Sequence, residues 1–354
     1  MDPREGFDSF APDPIDNPTT EAKVELGRLL FWDPILSGNN DVACATCHHP
    51  QFGYADGLPL SIGVGGRGVG PQRQGATRAG RNAPTVLLTG LNGWIDEDVF
   101  PRPEDAPMFW DIRAHSLEEQ ALGPIANAEE MRGDAYPADE AVDVVVARLA
   151  GIPEYVDLFA DAFGVDPDEA VTADHLAGAI AAFERHLSRP SSDFDRWLAG
   201  DDAAMSAQQI RGFNTFRRVG CDRCHSGPMF SDYRLRRIGA PNNTGNAGDN
   251  GDGGFRFRTA SLRNITRTAP YMHGGTFANL TQVFAFYRRP GTQPPRGQGV
   301  LPANIGPLDR DVLGLRFNGQ DEADMAAFLA ALTDEDVDTA RPVAVPSGLP
   351  VGGR

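Results

Sequence analysis

All four cysteines of the chain lie in two short segments of the same form. The segment CATCH covers residues 44–48 and CDRCH covers residues 221–225, so a histidine directly follows each pair of thiols. Such pairs can bind zinc, form disulfides, act as a redox dithiol or attach a cofactor. A zinc ribbon places its second pair roughly 15–20 residues after the first, and a histidine after each pair is not part of that pattern. The two segments are therefore better explained separately.

Each segment matches C-x-x-C-H, the attachment sequence of c-type haem. Two thiols one helical turn apart can form thioethers with the two vinyl groups of a porphyrin, and the adjacent imidazole then reaches the iron. The residues predicted to hold two covalent haems are Cys44, Cys47 and His48 for the first, and Cys221, Cys224 and His225 for the second. Thioredoxin-like dithiol chemistry is the remaining alternative.

The cellular location follows from the same motifs. Thioether haems are assembled outside the bacterial cytoplasm, so we expect a periplasmic protein. The sequence starts MDPREGFDSF, which contains no recognisable export signal.

The length of the chain predicts its division into domains. The 354 residues predict about two domains, and we place them at residues 1–195 and 196–354, with one haem each.

Composition limits the partners. No apolar run approaches the ~20 residues that a membrane span needs. The net charge of −17 argues against a nucleic-acid partner, because phosphates would be repelled. An acidic surface can instead steer a basic protein partner.

Helical periodicity dominates the chain. Apolar residues recur at helical spacing before both haem segments, in AKVELGRLLFW and AQQIRGFNTFRRV, which indicates a duplicated module. Ser116 and Glu119 form a capping-box pattern at a further helix start. Apolar residues also recur at helical spacing in ADEAVDVVVARLAGI, TADHLAGAIAAFERHLSRP and DEADMAAFLAALTDED. No alternating strand series competes. We therefore predict a mainly α fold of two c-type-cytochrome-like helical domains with little β structure. Its long ordered loops are rich in glycine and proline and cover residues 56–80, 93–108, 239–254 and 289–307.

Five segments in a fixed order resemble the bacterial di-haem cytochrome c peroxidase and MauG family over nearly the whole chain. They are CATCHHP, RNAPTVL, FWDIRAHSLEEQALGPIANAEEM, CDRCHSGPMF and FRTASLRNITRTAPYMHGGTFANLTQVFAFY. The resemblance implies that the first haem reacts with peroxide and that the second passes electrons to it.

The resemblance also assigns three residues near the first haem. Glu130 of NAEEM matches the family's acid/base, which moves a proton between the peroxide oxygens, although its neighbour Glu129 shows that a surface carboxylate is the alternative. Gln120 matches the family's distal-pocket glutamine, which can hydrogen-bond the bound peroxide or its water, with an exposed helix position as its alternative. Trp110 matches the tryptophan between the two haems, where it can relay electrons, pack against porphyrin, or do both.

The second haem needs a ligand opposite His225. Most family members use a methionine about fifteen residues beyond a PYFHDG element, whereas MauG has a tyrosine there. This chain has PYMHGG, and fifteen residues after Met272 stands Tyr287. The resemblance implies Tyr287 as axial ligand, with Met272 as the rival ligand and a core or loop role for Tyr287 as the remaining alternative. Phenolate ligation would lower the reduction potential, whereas thioether ligation would raise it.

Two further expectations follow from the resemblance. Residues 50–114 contain no histidine, whereas many members carry one there that blocks the first iron until the second haem is reduced. We therefore expect an open first haem in the diferric state, as in MauG. A calcium ion between the domains is also implied, bound by oxygens of Asn82, Thr268 and Pro270.

The leading functional hypothesis is a peroxidase that reduces hydrogen peroxide with electrons from a small redox protein, such as a cytochrome c or a cupredoxin. A MauG-like enzyme that oxidises side chains of a partner protein is the second, although no tryptophan stands just before the second haem segment. A non-catalytic di-haem electron carrier is the third. Both a monomer and a homodimer remain open.

Overall fold

The computed structural model describes residues 11–292 and 299–353, and this part of the chain is mainly helical, as predicted. Its α-helices are α1 Glu21–Trp32, α2 Cys44–Cys47, α3 Leu117–Ala126, α4 Ala141–Ala150, α5 Pro153–Phe163, α6 Pro167–Ala170, α7 Ala173–His186, α8 Asp193–Leu198, α9 Ala207–Val219, α10 Leu280–Arg288 and α11 Gly319–Ala330. Strands β1 Leu235–Arg236 and β2 Phe257–Arg258 form a small antiparallel pair.

Side chains before the helices satisfy the free N–H groups of the first turn. The Ser116 hydroxyl accepts a hydrogen bond of 3.0 Å from the Glu119 N–H at the start of α3. The Glu119 carboxylate accepts from the N–H of His115 at 2.7 Å instead of from Ser116. The predicted capping box is therefore only half formed, although the helix begins where it was expected.

The two haem segments follow helices that pack in an equivalent way. Gly27 of α1 lies so close to α7 that a Cβ atom would stand 2.0 Å from the carbonyl oxygen of Ala179. Gly212 of α9 lies against α11, where a Cβ atom would stand 1.9 Å from the carbonyl oxygen of Asp324. Each crossing needs a glycine for the backbones to approach. This repeated packing supports the predicted duplication of a helical module.

Two of the apolar cores hold most of the helices. Helices α1, α3, α4, α5 and α7 bury one apolar core. A second core is built from α8, α9 and α11, and its aromatic residues are Phe194, Phe213, Phe216, Phe230 and Phe328. The end of the chain returns to the first half, where Gly352 N–H donates to the carbonyl oxygen of Trp32 at 2.8 Å. The division at residue 195 stays a prediction.

The loops are ordered by internal hydrogen bonds. Arg73 is buried in the loop at 56–80, and its guanidinium donates to the carbonyl oxygens of Ile62, Gly63 and Gly68 at 2.6–2.9 Å. Of the predicted loop at 289–307, residues 293–298 lie outside the described residues. Within the described ranges, no helix has both the length and the apolar character to cross a membrane.

Candidate di-haem active site

Two cavities each contain both cysteines and the histidine of one C-x-x-C-H segment in their walls. The first, of about 1580 Å³, is lined by Cys44, Cys47 and His48 together with Gln120, Glu130 and Trp110. The second, of about 1330 Å³, is lined by Cys221, Cys224 and His225 together with Met272, Tyr287 and Trp110. Both volumes include space that is open to solvent. Each cavity combines one haem-attachment segment with residues predicted to act at that haem.

The thiols suit covalent attachment better than redox chemistry. Burial raises the pKa of Cys44 and Cys221 to about 12 and that of Cys224 to about 11, and it raises the pKa of Cys47 still further. A reactive dithiol requires the opposite shift, because the thiolate is the nucleophile. The four thiols are free. Among residues 11–292 and 299–353, no cluster of three or more histidine, cysteine or acidic side chains is arranged to hold a metal ion.

Both histidines are oriented as metal ligands. The Nδ1 atom of His48 lies 3.2 Å from the carbonyl oxygen of Tyr54, and that of His225 lies 3.0 Å from the carbonyl oxygen of Phe230. Because a carbonyl oxygen can only accept, Nδ1 carries the proton and the Nε2 lone pair is available for iron. Burial lowers the pKa of both imidazoles, which keeps them neutral. Each set of residues therefore fits a c-type haem.

Glu130 has the surroundings of a proton-transfer group. It follows α3 in the wall of the first cavity, and the side-chain amide of Asn127 donates to its Oε1 at 3.2 Å. Burial raises the pKa of Glu130, a shift that Arg113 opposes and Glu129 reinforces. Glu129 also lines this cavity, but its side chain is exposed. A raised pKa brings the carboxyl closer to neutral pH, where proton donation and acceptance are both accessible.

His49 lies away from the first cavity. Its Nδ1 accepts a hydrogen bond of 3.2 Å from the Gln51 N–H. Its ring makes an edge contact with Trp32 at 5.7 Å between centroids. These contacts indicate a local structural role for His49.

Trp110 stands in the wall that the two cavities share. Its Nε1 donates a hydrogen bond of 2.9 Å to the carbonyl oxygen of Asn82, which fixes the plane of the indole. The ring of His273 lies 6.5 Å away in a T-shaped contact, and His273 is itself stacked on Phe257 at 3.6 Å. Trp110 is thus held rigidly between the two cavities.

Both candidates for the second axial ligand line the second cavity. Tyr287 comes from α10, where its ring packs against Phe286 at 5.2 Å, and Met272 comes from the loop before that helix. The two residues are fifteen positions apart in the sequence, and the fold places both in the wall of one cavity. Which of the two binds iron stays a prediction.

One backbone hydrogen bond links Asn82 to the segment that follows Thr268 and Pro270. The Asn82 N–H donates to the carbonyl oxygen of His273 at 2.8 Å. The side-chain amide of Asn82 donates to the carbonyl oxygen of Leu58 at 2.8 Å. Calcium binding here remains a prediction.

Several charged residues in the cavity walls were missed by the sequence analysis. Among them, Arg81 and Glu184 line the first cavity, Arg236 lines the second and Arg258 lines both. Glu184 stands on α7 one turn after Ile180, and burial raises its pKa to about 8. The sequence signal that could have identified Glu184 is an acidic residue on the apolar face of a predicted helix, because such a position favours an apolar side chain.

Comparison with known proteins identifies the family. Residues 21–203 match the family model described as di-haem cytochrome c peroxidase. This range includes the first haem segment together with Gln120 and Glu130.

The chain belongs to this family. As a member of the di-haem cytochrome c peroxidase family, it is 34% identical over 335 residues to the methylamine utilization protein MauG of Methylorubrum extorquens, covering 92% of this chain and 82% of that protein. It is 33% identical over 340 residues to the cytochrome c551 peroxidase of Nitrosomonas europaea, covering 93% and 85%.

Solved structures agree with this di-haem fold. A MauG-like protein associated with microbial copper homeostasis superposes with a TM-score of 0.75 at 28% identity, over 92% of this chain and 93% of that chain. The diheme peroxidase BthA from Burkholderia thailandensis shares the fold, with a TM-score of 0.71 at 21% identity over 99% and 97%. The predicted family and the oxidoreductase class of peroxidase type are therefore confirmed. Relatives carry both peroxidase and MauG names.

Proposed function

We propose that this protein reduces hydrogen peroxide to water at the first haem, with electrons that a small redox protein delivers through the second haem. The observation that carries the proposal is the convergence of Gln120 and Glu130 with the Cys44–His48 segment on one cavity. Trp110 in the shared wall supports transfer between the two centres.

The protein's part of the reaction is proton handling and positioning. When bound, the two haem irons would supply the peroxide-binding site and the two electrons of the overall reaction, in which one peroxide, two protons and two electrons give two waters. Glu130 takes a proton from one peroxide oxygen and delivers it to the other, which leaves as water. Asn127 orients this carboxyl, since its amide lies 3.2 Å from Oε1. Gln120 holds the peroxide by a side-chain hydrogen bond.

The remaining assignments complete the proposal. His48 and His225 would hold the two irons through Nε2. Tyr287 would also hold the second iron, with Met272 as the alternative. Asn82, Thr268 and Pro270 would bind a calcium ion between domains 1–195 and 196–354. The protein works in the periplasm, where c-type haems are attached and small electron donors are found.

A second candidate function is the oxidation of side chains on a partner protein. It is favoured by Tyr287 in the wall of the second cavity, because a phenolate ligand stabilises ferric and higher iron. The acidic chain could steer a basic partner towards it. The simple electron carrier is less well supported, since it requires a strong second ligand at both irons, and His49 is directed elsewhere.

The first experiment mixes the fully oxidised protein with one equivalent of hydrogen peroxide in a stopped-flow spectrometer, without reductant. Rapid bleaching of the Soret band is expected from an open first haem. Subsequent addition of a reduced c-type cytochrome should restore the spectrum and oxidise two donors per peroxide. A protein that bleaches but does not oxidise the donor would favour the partner-oxidising enzyme. Refusal of both peroxide and cyanide by both ferric haems would contradict either enzyme and favour the carrier.

A further inference from the structure

Arg258 occupies an unusual position between the two cavities. Across residues 11–292 and 299–353, only Trp110 and Arg258 line both of them. Trp110 is the residue expected between two haems. Arg258 places a positive charge at the same boundary, and the proposed function gives it no role.

The position of Arg258 is fixed by the backbone around it. It lies on β2, paired with Leu235 of β1, and its N–H donates to the carbonyl oxygen of Trp110 at 2.7 Å. Its Nε donates to the carbonyl oxygen of Phe109 at 2.9 Å. The guanidinium carbon lies 5.6 Å from the ring centroid of Tyr233. The side chain is therefore held at the boundary by Nε, while the terminal Nη groups take no part in these hydrogen bonds.

Other arginines in the cavity walls have carboxylate partners. Arg81, in the first cavity, pairs with Asp111 and Asp249 at 2.8 Å each. Arg236, in the second cavity, pairs with Asp232 and Asp311. For Arg258, no carboxylate partner is present among the residues that the structure describes.

A buried guanidinium without a counter-ion is costly, and burial lowers the pKa of Arg258. An arginine nevertheless stays charged, so the missing negative charge must come from what fills the cavities. A haem carries two propionate carboxylates, and the planar fork of a guanidinium matches a carboxylate closely. The position of Arg258 therefore fits a propionate carboxylate from each of the two haems.

We propose that Arg258 is a shared anion site at which the propionates of the two haems are bound, and that its charge raises the reduction potentials of both haems together. The inference rests on the proposed function only in that both cavities hold haem. A positive charge next to a haem disfavours the ferric state, which carries one more positive charge than the ferrous state. One side chain then couples the two centres electrostatically.

The test is a spectroelectrochemical titration of both haems in the wild type, in Arg258→Gln and in Arg258→Lys. In Arg258→Gln both potentials should fall, because two propionates lose their cation. Arg258→Lys keeps the charge but not the fork, so both potentials should lie between those of the other two proteins. If Arg258→Gln does not fold, Arg258→Lys still tests the proposal through the same paired shift. A change at one haem alone, or at neither, would overturn it.

Two matched variants show whether the paired shift is specific to Arg258. Arg81→Gln should affect only the first haem and Arg236→Gln only the second, since each lines one cavity. Equal shifts of both haems in either control would overturn the proposal. If wild-type potentials follow chloride concentration and this dependence is lost in Arg258→Gln, the site binds a solvent anion and the propionate assignment fails.

Haem content separates this inference from the proposed function. Pyridine haemochrome spectra and intact mass count the covalent haems before any titration. A chain without two attached haems would contradict the proposed function whatever Arg258 does. Two attached haems with potentials that ignore Arg258 would contradict only the present inference.

Discussion

The backbone of Gly63 lies directly against the carbonyl group of Glu129. A Cβ atom on Gly63 would stand 1.9 Å from that oxygen and 2.6 Å from the carbonyl oxygen of Glu130. The loop at 56–80 therefore supports the segment that carries the proposed acid/base. Any side chain at position 63 must therefore displace either this loop or the segment that carries Glu129 and Glu130.

Gly63→Ala should lower kcat/KM for peroxide about tenfold or more, because small misplacements of a catalytic group are costly. Steady-state peroxide kinetics with a reduced cytochrome donor measures the effect. Gly248→Ala is the matched control, since nothing lies within 4 Å of a Cβ atom there. Equal activity of both variants would show that the loop does not position Glu130.

Glu130→Gln should slow peroxide cleavage by about 10²-fold, because the amide cannot take up the proton. Burial raises the pKa of Glu130, so the wild-type rate should decline towards acid at a pH above the ordinary value for glutamate. That acid limb should be absent from the variant. The exposed Glu129 provides the control, and Glu129→Gln should retain nearly the full rate and the limb. Single-turnover rates measured across pH test this prediction. If Glu130→Gln and Glu129→Gln behave alike, Glu130 is not the acid/base.

Tyr287→Met should raise the reduction potential of the second haem, because a thioether favours ferrous iron more than a phenolate does. Tyr287→Phe should leave that haem open to cyanide in the ferric state. Spectroelectrochemistry and electron paramagnetic resonance measure both changes. Met272→Leu should alter neither quantity. A ligand change in Met272→Leu with none in Tyr287→Phe would assign the second iron to Met272.

Glu184→Gln should change how stability depends on pH. Burial raises the pKa of Glu184 to about 8, so the folded protein binds more protons than the unfolded chain and loses stability as pH rises from about 4.5 to about 8. The variant lacks this loss, and it should gain a few kcal/mol over the wild type by pH 9 while differing little at pH 4.5.

Denaturant unfolding at both pH values measures the difference. Glu169→Gln, at an exposed position on α6, is the control and should follow the wild type. If the stability gap between Glu184→Gln and the wild type is the same at pH 4.5 and pH 9, the carboxyl does not titrate in this range.

The sequence by itself determined the features that are local in the chain. The two haem segments are contiguous, so their residue types and spacing predict the cofactor without a fold. Helix periods and N-terminal caps predicted α1, α3, α4, α7, α9 and α11, because apolar spacing and capping act within a few residues. The helix α10 was not predicted as such, although it carries Tyr287. The resemblance supplied Gln120, Glu130 and Trp110.

Only the tertiary structure decided which distant residues share a cavity wall. Trp110 and Arg258 meet at one boundary through a backbone hydrogen bond between segments about 150 residues apart. Glu184 appears in sequence as one acid on a helix, and packing of α7 turns it inward. The C-terminal segment forms a backbone hydrogen bond with Trp32, and no periodic pattern in the sequence predicts this contact. Such contacts depend on how whole elements pack. A local sequence pattern therefore cannot show which charged side chain is left without a partner of opposite charge.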